Sequence, residues 1–323
     1  MLRLYVWRGA SRNFGDELND LLWPHLLPGL VDAGPFDGNH VDANPVDANP
    51  VGDDWLDDAG SALFLGIGSV LDARHPAERH KIVAGAGFGG YQRPASLDGS
   101  WEIYWVRGPR TARQLGLPAA FGLGDPASLL PLALPVARHD TGAIGFMPHF
   151  ESLTRGAWPK AAAAAGVMLI DPRGAPEAIL GQIAGCRVLL SEAMHGVIVA
   201  DSLRVPWVAL TPVAPIHRAK WLDWAESLAV MIRFQALPAA SLGEWIETAI
   251  APRRRAFRAG LACTAALANR IDQRSACLDR AAASLRLAAA GTPQLSDCRS
   301  LGRAQERMLN RLHTLRAGRG ARA

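Results

Sequence analysis

The stretch LLSEAMHGVIVADSLRVPWVAL, residues Leu189–Leu210, places Ser191, His195 and Gly196 where a buried apolar run gives way to a helical one. A helix start offers unpaired backbone N–H groups and the positive end of the helix dipole, which together attract anions. His195 at such a place can bind phosphate or move a proton near neutral pH. Gly196 lets the backbone approach a ligand closely, and Ser191 adds a hydroxyl. The plainer reading of the same residues is a histidine that caps the helix or satisfies a core carbonyl.

Three further cations fall at comparable positions. In WVRGPRTARQL an apolar run ends at Val106, Gly108 turns, and Pro109 suits the first turn of a helix. That arrangement aims Arg107, and with less force Arg110, at a strand end, where a guanidinium fork suits phosphate or carboxylate. His149 closes the apolar run of IGFMPHF, and Lys220 stands in HRAKWLDW. Four cationic or titratable groups at predicted strand ends point to a small, highly charged anionic substrate. In NFGDEL near the start, Asn13 or Asp16 can cap a helix and Gly15 permits close approach. Asp125, in GLGDPASLL, reads as another cap.

The elements that must position these residues alternate. Strands are expected at 2–7, 62–66, 81–84, 103–106 and, weakly, 119–123. A linker follows at 131–140. A second series runs strand 143–147, helix 157–165, strand 167–171, helix 175–184, strand 187–191, helix 196–203 and strand 207–210. Continuous apolar strands alternating with helices mean parallel sheets covered on both faces. The expected fold class is α/β, with two Rossmann-like domains facing a cleft. The expected boundaries are 1–138, carrying a loop insertion at 32–54 with its doubled pentapeptide VDANPVDANP, then 139–250. Residues 251–323 read as an Arg-rich helical extension, with helices at 253–269, 277–290 and 301–315 and a disordered end. Ligands of open α/β sheets sit beyond the carboxyl ends of the strands.

Composition narrows the chemistry. GAGFGG (85–90) matches a dinucleotide fingerprint literally, but no helical pattern follows it and no acidic residue stands in the required context. No GxSxG, P-loop or HExxH occurs, and the four cysteines form no CxxC pair, so reduced structural thiols are expected. No apolar run is long enough for a membrane span and no signal-peptide cleavage site follows the start, which predicts a cytoplasmic protein. Net charge is +4, yet residues 251–323 hold 15 arginines against 4 acids while the preceding residues are net acidic. A basic tail suits an anionic membrane surface. Nucleic acid is disfavoured, because the tail holds a single aromatic residue, Phe257, for stacking.

NFGDELN, GIGSVL, VRGPRTA, GDPASLLP, MPHF, SEAMHGVIVAD…VP and KWLDW occur in this order over residues 1 to about 235. The set resembles the polysaccharide pyruvyltransferases of succinoglycan- and xanthan-type exopolysaccharide synthesis. The resemblance implies a GT-B-like fold and phosphoenolpyruvate as donor, with no cofactor or metal. Two hydroxyls of one sugar would be joined to pyruvate as a cyclic ketal, and phosphate released. It implies that His195 is catalytic and that Arg107 contacts the donor; Arg110, His149, Ser191, Gly196 and Lys220 are placed on the donor side by their own strand-end positions. Asn13, Gly15 and Asp16 would lie on the acceptor side. The family pattern has a serine or basic residue beside the histidine, where this chain has Glu192 and Ala193. The implied acceptor is a lipid-linked oligosaccharide at the inner membrane, which would give the basic tail a peripheral membrane role. A nucleotide-sugar glycosyltransferase of the same fold is the first rival, although the EX7E spacing fails because residue 200 is alanine. A non-catalytic scaffold of that fold is the second.

Overall fold

The computed structural model describes residues 1–9, 11–32, 62–211, 218–250 and 276–320. The first half contains β1 (Leu2–Tyr5), α1 (Phe14–Leu26), β2 (Val31–Asp32), β3 (Leu63–Leu65), β4 (Lys81–Ala84), β5 (Trp101–Trp105), α2 (Pro109–Gln114) and α3 (Leu130–Ala133). The second contains β6 (Ile144–Met147), α4 (Phe150–Arg155), α5 (Trp158–Ala165), β7 (Met168–Leu169), α6 (Pro176–Ala184), β8 (Val188–Ser191), α7 (Met194–Ser202), β9 (Trp207–Leu210), α8 (Arg218–Ser227), β10 (Phe234–Gln235) and α9 (Leu242–Ile250). Then follow α10 (Ala276–Ala290) and α11 (Cys298–Gly320).

The strands form two parallel five-stranded sheets, ordered β2-β1-β3-β4-β5 and β10-β9-β8-β6-β7. The two orders are equivalent. Each sheet starts on an inner strand, steps outward once, then returns past its start. The strand order therefore reverses between β1 and β3 in one sheet and between β6 and β8 in the other, and these reversals open crevices at the carboxyl ends.

Apolar side chains on both faces explain the layering. On one face of the first sheet, Phe64, Ile82 and Trp105 meet Trp23 of α1 and Met308, Leu312 and Leu315 of α11. On the other, Leu65, Val83 and Val106 meet Ala112 and Leu115 around α2. In the second sheet, Phe146, Leu190 and Val208 pack on Trp158 of α5 and on Ala281 and Leu285 of α10. The opposite face joins Met147, Leu189 and Ala209 to α6 and α7. That same apolar cluster takes in Phe14, Leu18 and Leu22 of α1 and Trp221 and Trp224 of α8. Helix α1 thus joins the two halves, contributing Phe14, Leu18 and Leu22 to the second sheet's cluster and Trp23 to the first sheet's.

Several expectations need correction. The weak strand at 119–123 is a 3-10 turn at Ala119–Phe121, and only Gly122 makes a parallel bridge, to Val106. Helix α7 starts two residues before the expected 196, so His195 lies in its first turn. The insertion at 32–54 contributes Asp32 to an edge strand; its residues from 33 on, and the helix expected at 253–269, lie outside the described residues. The chain end expected to be disordered is helical through Gly320. Residues 276–320 are not an appendage. Leu301, Ala304, Met308, Leu312 and Leu315 recur at helical spacing, and all are buried in the shared cores. Cys186 and Cys277 are buried thiols.

Candidate active site

His195 is placed by a tight turn after β8. The Ser191 hydroxyl accepts the Ala193 N–H at 3.1 Å and donates to the Ala193 carbonyl at 2.8 Å, closing the turn on itself. Glu192 points away from the helix start. Its Oε2 accepts the His149 N–H at 2.9 Å and its Oε1 accepts the Ser152 hydroxyl at 2.9 Å, so this buried carboxylate ties down the start of α4. A Cβ on Gly196 would lie 2.7 Å from the Met147 sulfur and 2.8 Å from Ser191 Oγ. The close approach that demands glycine there is helix against strand, not backbone against ligand.

The imidazole of His195 leaves this turn toward the first half. A Cβ on Gly15 would stand 1.9 Å from His195 Nδ1, so the ring occupies the space a side chain at position 15 would fill. On the other edge, Nε2 lies 3.5 Å from Asp125 Oδ2. Asp125 is 1 % exposed. Its Oδ1 accepts the Ala127 N–H and so caps the 3-10 turn Pro126–Leu129, the role read from sequence. Its second oxygen facing His195 was missed. The available signal was that capping uses one carboxylate oxygen and leaves the other unassigned.

Asp16 lies on the same side as Gly15. It is not a helix cap, and neither is the Asn13 side chain. Asn13 Nδ2 instead donates to Asp16 Oδ2 at 2.7 Å, and the Asn13 carbonyl accepts the Asp16 and Glu17 N–H groups. Burial raises the Asp16 carboxyl above its usual range, opposed by Asn13 and by the charges of His195, Lys220 and Arg8. Asn19, also in the NFGDELN motif, is structural. Its side chain accepts from Trp23 and the Ile67 amide and donates to the Ile67 carbonyl, pinning α1 to the loop after β3.

Lys220, near the start of α8, feels this cluster. Its ammonium is pushed down to about 8, first by burial and then by Arg107, against the pull of Asp16, Glu151 and Asp125. Tyr91 is a second residue the sequence did not flag. The residue is 43 % exposed, yet desolvation by its surroundings raises the phenol above its ordinary value, and Arg107, Glu151 and Asp16 contribute to its field. His195, Asp125, Asp16, Lys220, Tyr91 and Glu151 therefore share one electrostatic environment.

Arg107 does not present an open fork. The side chain is 1 % exposed. Nε donates to Asp223 Oδ2 at 3.1 Å, one terminal nitrogen to Ser69 Oγ at 2.8 Å, and the other to the Phe88 carbonyl at 2.9 Å. A Cβ on Gly87 would lie 2.2 Å from its Cζ, so GAGFGG makes room for this guanidinium rather than for a pyrophosphate. Asp223 also accepts the N–H groups of Arg110 and Thr111 and the Thr111 hydroxyl, capping α2 from α8. Arg110 is turned outward, its guanidinium paired with Glu226 at 2.8 Å on the surface. His149 is also turned to local structure. Its Nδ1 accepts the Glu151 N–H at the start of α4, and its ring packs on Phe150. Of the expected site residues, the fold brings Gly15 and His195 into contact beside Asp16, with Asn13 bonded to Asp16 and Lys220 within electrostatic reach. Ser191, Gly196, Arg107, His149 and Arg110 serve the frame around them. Among the described residues, no three His, Cys, Asp or Glu side chains are grouped to hold a metal ion.

The arrangement can bind an anion and move a proton at His195, with carboxylates on either side. The chain matches the polysaccharide pyruvyl transferase family over residues 13–212. That span opens on Asn13 and includes Asp125 and His195. The chain is also similar to the succinoglycan biosynthesis protein ExoV of Rhizobium meliloti (strain 1021). Identity is 34 % over 247 residues, covering 75 % of this chain and 70 % of that protein. No solved structure matches the chain. With a family match over more than half its length and a curated relative aligned over most of both proteins, this chain belongs to the polysaccharide pyruvyl transferase family and is a pyruvyltransferase of that class.

Proposed function

We propose that the protein transfers pyruvate from phosphoenolpyruvate to two hydroxyls of one sugar in an exopolysaccharide repeat unit, forming a cyclic ketal and releasing phosphate. The observation that carries this reading is His195, which stands against Gly15 beside Asp16 and 3.5 Å from Asp125, in an electrostatic field that Lys220 shares. The equivalent strand orders support two Rossmann-like units in a GT-B-like arrangement. Phosphoenolpyruvate carries a carboxylate and a phosphate on a small skeleton. Lys220 supplies a cation whose ammonium burial has already partly desolvated, and Arg107 adds positive potential from within the frame. Protonation of the methylene carbon makes C2 electrophilic. The first sugar hydroxyl then bonds to C2 and loses its proton. The C2–O bond to phosphate breaks, and the second hydroxyl takes its place. Of the two hydroxyl protons lost, one balances the proton added to carbon and the other leaves with phosphate. His195 is the proton-transfer group, and Asp16 is placed to take a hydroxyl proton.

Incubation with phosphoenolpyruvate and an acceptor oligosaccharide should release phosphate only when the acceptor is present, and the product should show a ketal methyl resonance. Thermal stabilisation by a nucleotide sugar, with none by phosphoenolpyruvate, would replace this reading with glycosyl transfer. A ligand at 100 times its Kd adds about 2.7 kcal/mol to apparent stability, enough to register.

The Lys220 ammonium near 8 gives a pH prediction with a definite sign. A charged Lys220 is fully present below that value and is lost as pH rises through it. In the free enzyme, kcat/KM for phosphoenolpyruvate should therefore fall on the alkaline side of about 8. Lys220→Met should remove that limb and raise KM about tenfold or more, on the order of one lost charge-assisted hydrogen bond. An unchanged pH profile in Lys220→Met would take Lys220 out of the donor site.

A lipid-linked acceptor would bring the enzyme to the cytoplasmic face of the inner membrane. No helix among the described residues is long and apolar enough to cross a membrane. Helix α11 offers another mode of attachment. While its apolar side is buried, Arg299, Arg303, Arg307 and Arg311 remain exposed at four-residue spacing. Each basic residue near an anionic surface contributes about 1 kcal/mol. Replacing these four by glutamine should abolish pelleting with anionic vesicles in low salt and leave the folding midpoint nearly unchanged. Equal pelleting would remove the membrane role. Point substitutions are required, because truncation before α10 would strip both cores of a helix.

A further inference from the structure

We infer that Asp125 is a positioning residue for His195, fixing the ring's tautomer from the opposite half of the molecule so that Nδ1 is the nitrogen whose protonation changes. The inference rests on the reading of His195 as the proton-transfer group and adds a partner and a working atom to it.

Two buried polar atoms carry the argument. Among the described residues, Asp125 Oδ2 and His195 Nε2 each have no hydrogen-bond partner, and they lie 3.5 Å apart. Asp125 is 1 % exposed and the His195 side chain 13 %. A buried carboxylate oxygen facing a bare nitrogen lone pair would leave two acceptors opposed and unsatisfied, which is costly. A proton on Nε2 removes that opposition, because a donor rather than a second lone pair then stands 3.5 Å from the carboxylate oxygen. The neutral ring must in that case carry its lone pair on Nδ1. That nitrogen faces Gly15, one residue from Asp16.

The backbone supports both partners independently. Asp125 Oδ1 is held by the Ala127 N–H at 3.0 Å, which fixes the rotamer that turns Oδ2 toward the ring. His195 is held by the first turn of α7, whose Ser191–Ala193 closure fixes the helix start. Helix α7 packs on both α1 and the 3-10 turn that Asp125 caps. The pair therefore reports the relative placement of the two halves. A shift between them would break the Asp125–His195 contact and release the tautomer.

The test is Asp125→Asn in the full-length protein. Asparagine keeps a carbonyl oxygen for the Ala127 cap and sets an amide N–H against Nε2, so the neutral ring should move its proton to Nδ1. Nitrogen-15 spectra of the His195 ring should show Nε2–H in the parent and Nδ1–H in the variant. The kcat for pyruvyl transfer should fall by about 10²-fold or more, the scale of general acid–base catalysis. KM for phosphoenolpyruvate should change by less than about threefold, since uniform binding is untouched. Asp125→Ala, which also loses the cap, should lower the folding midpoint as well. The same tautomer in parent and Asp125→Asn, or a kcat within about twofold of the parent, would overturn the inference. If the tautomer reverses but the parent shows no pyruvyl transfer, the Asp125–His195 coupling holds and the functional reading fails alone.

Discussion

His195→Ala should lower kcat for pyruvyl transfer by about 10²- to 10⁴-fold, the range that general acid–base catalysis supplies, with the protein still folded. The geometry provides a second route to the same result that leaves the histidine in the sequence. Gly15 lies in the first turn of α1, and a Cβ there would stand 1.9 Å from His195 Nδ1. Gly15→Ala must therefore push the ring out of its place. In a helix the same change is otherwise favourable, by about 1 kcal/mol in propensity. Activity should collapse in Gly15→Ala while the helix itself gains. A steady-state assay beside a thermal melt reads both quantities. If Gly15→Ala keeps more than about half the parent kcat, the ring position seen here is not the working one, because displacing a proton-transfer group, the role proposed for His195, costs far more than that. His195→Gln refines the result. It retains a polar side chain at the helix start but cannot exchange a proton near neutral pH, so it should be nearly as inactive as His195→Ala.

This pairing of Gly15 with His195 shows what the sequence could and could not disclose. Both residues were visible as strand-end positions with special backbone or chemical character. That the glycine makes room for the histidine depends on how two sheets face each other, and periodicity within either half does not contain it. The same holds for Asp125, whose capping role is local and legible from GDP, whereas its contact to His195 spans 70 positions of sequence. The alternating strands and helices of both halves were legible because fully buried parallel strands such as VLLS and WVAL are apolar at all but one position, Ser191. The run at 119–123 misled for a related reason. Its apolar residues lie beside the sheet edge, but the turn at Ala119–Phe121 allows only a single bridge. The tail misled through its charge. Fifteen arginines in 251–323 dominate its composition, while the apolar residues that build α11 into the first sheet's core are few and spaced three or four apart. Arg107 is the most instructive case. Strand end, glycine and proline all pointed to an anion-binding fork, and the guanidinium does meet an anion, though through Nε alone. That anion is the carboxylate of Asp223 in the protein's own α8.

The Arg107–Asp223 pair leads to the largest expected effect on stability. Both side chains are buried, at 1 % and 3 % exposure. Removing one partner of a buried, hydrogen-bonded pair strands the other charge and costs about 3–5 kcal/mol. Asp223→Ala should cost at least this, because Asp223 also accepts two N–H groups at the start of α2, where the cap residue Gly108 has no side chain to offer. Arg110, three residues from Arg107, is the internal control. Its pair with Glu226 is exposed on both sides, and exposed pairs contribute about 0–1 kcal/mol. Urea unfolding of Asp223→Ala and Arg110→Ala should therefore differ by several kcal/mol in the same assay, although both remove a salt bridge from α8 to the segment Arg107–Arg110. Replacing both buried partners by apolar residues, Arg107→Met with Asp223→Leu, should recover part of the loss, since no charge is then left stranded. The recovery cannot be complete, because the α2 amides would still lack their acceptor. If the double variant retains the parent KM for phosphoenolpyruvate, the donor proposed above, Arg107 belongs to the frame alone. If the double variant folds but KM rises about tenfold or more, the scale of a lost charged contact, the positive potential of Arg107 reaches the donor through Lys220's surroundings even from a sealed position.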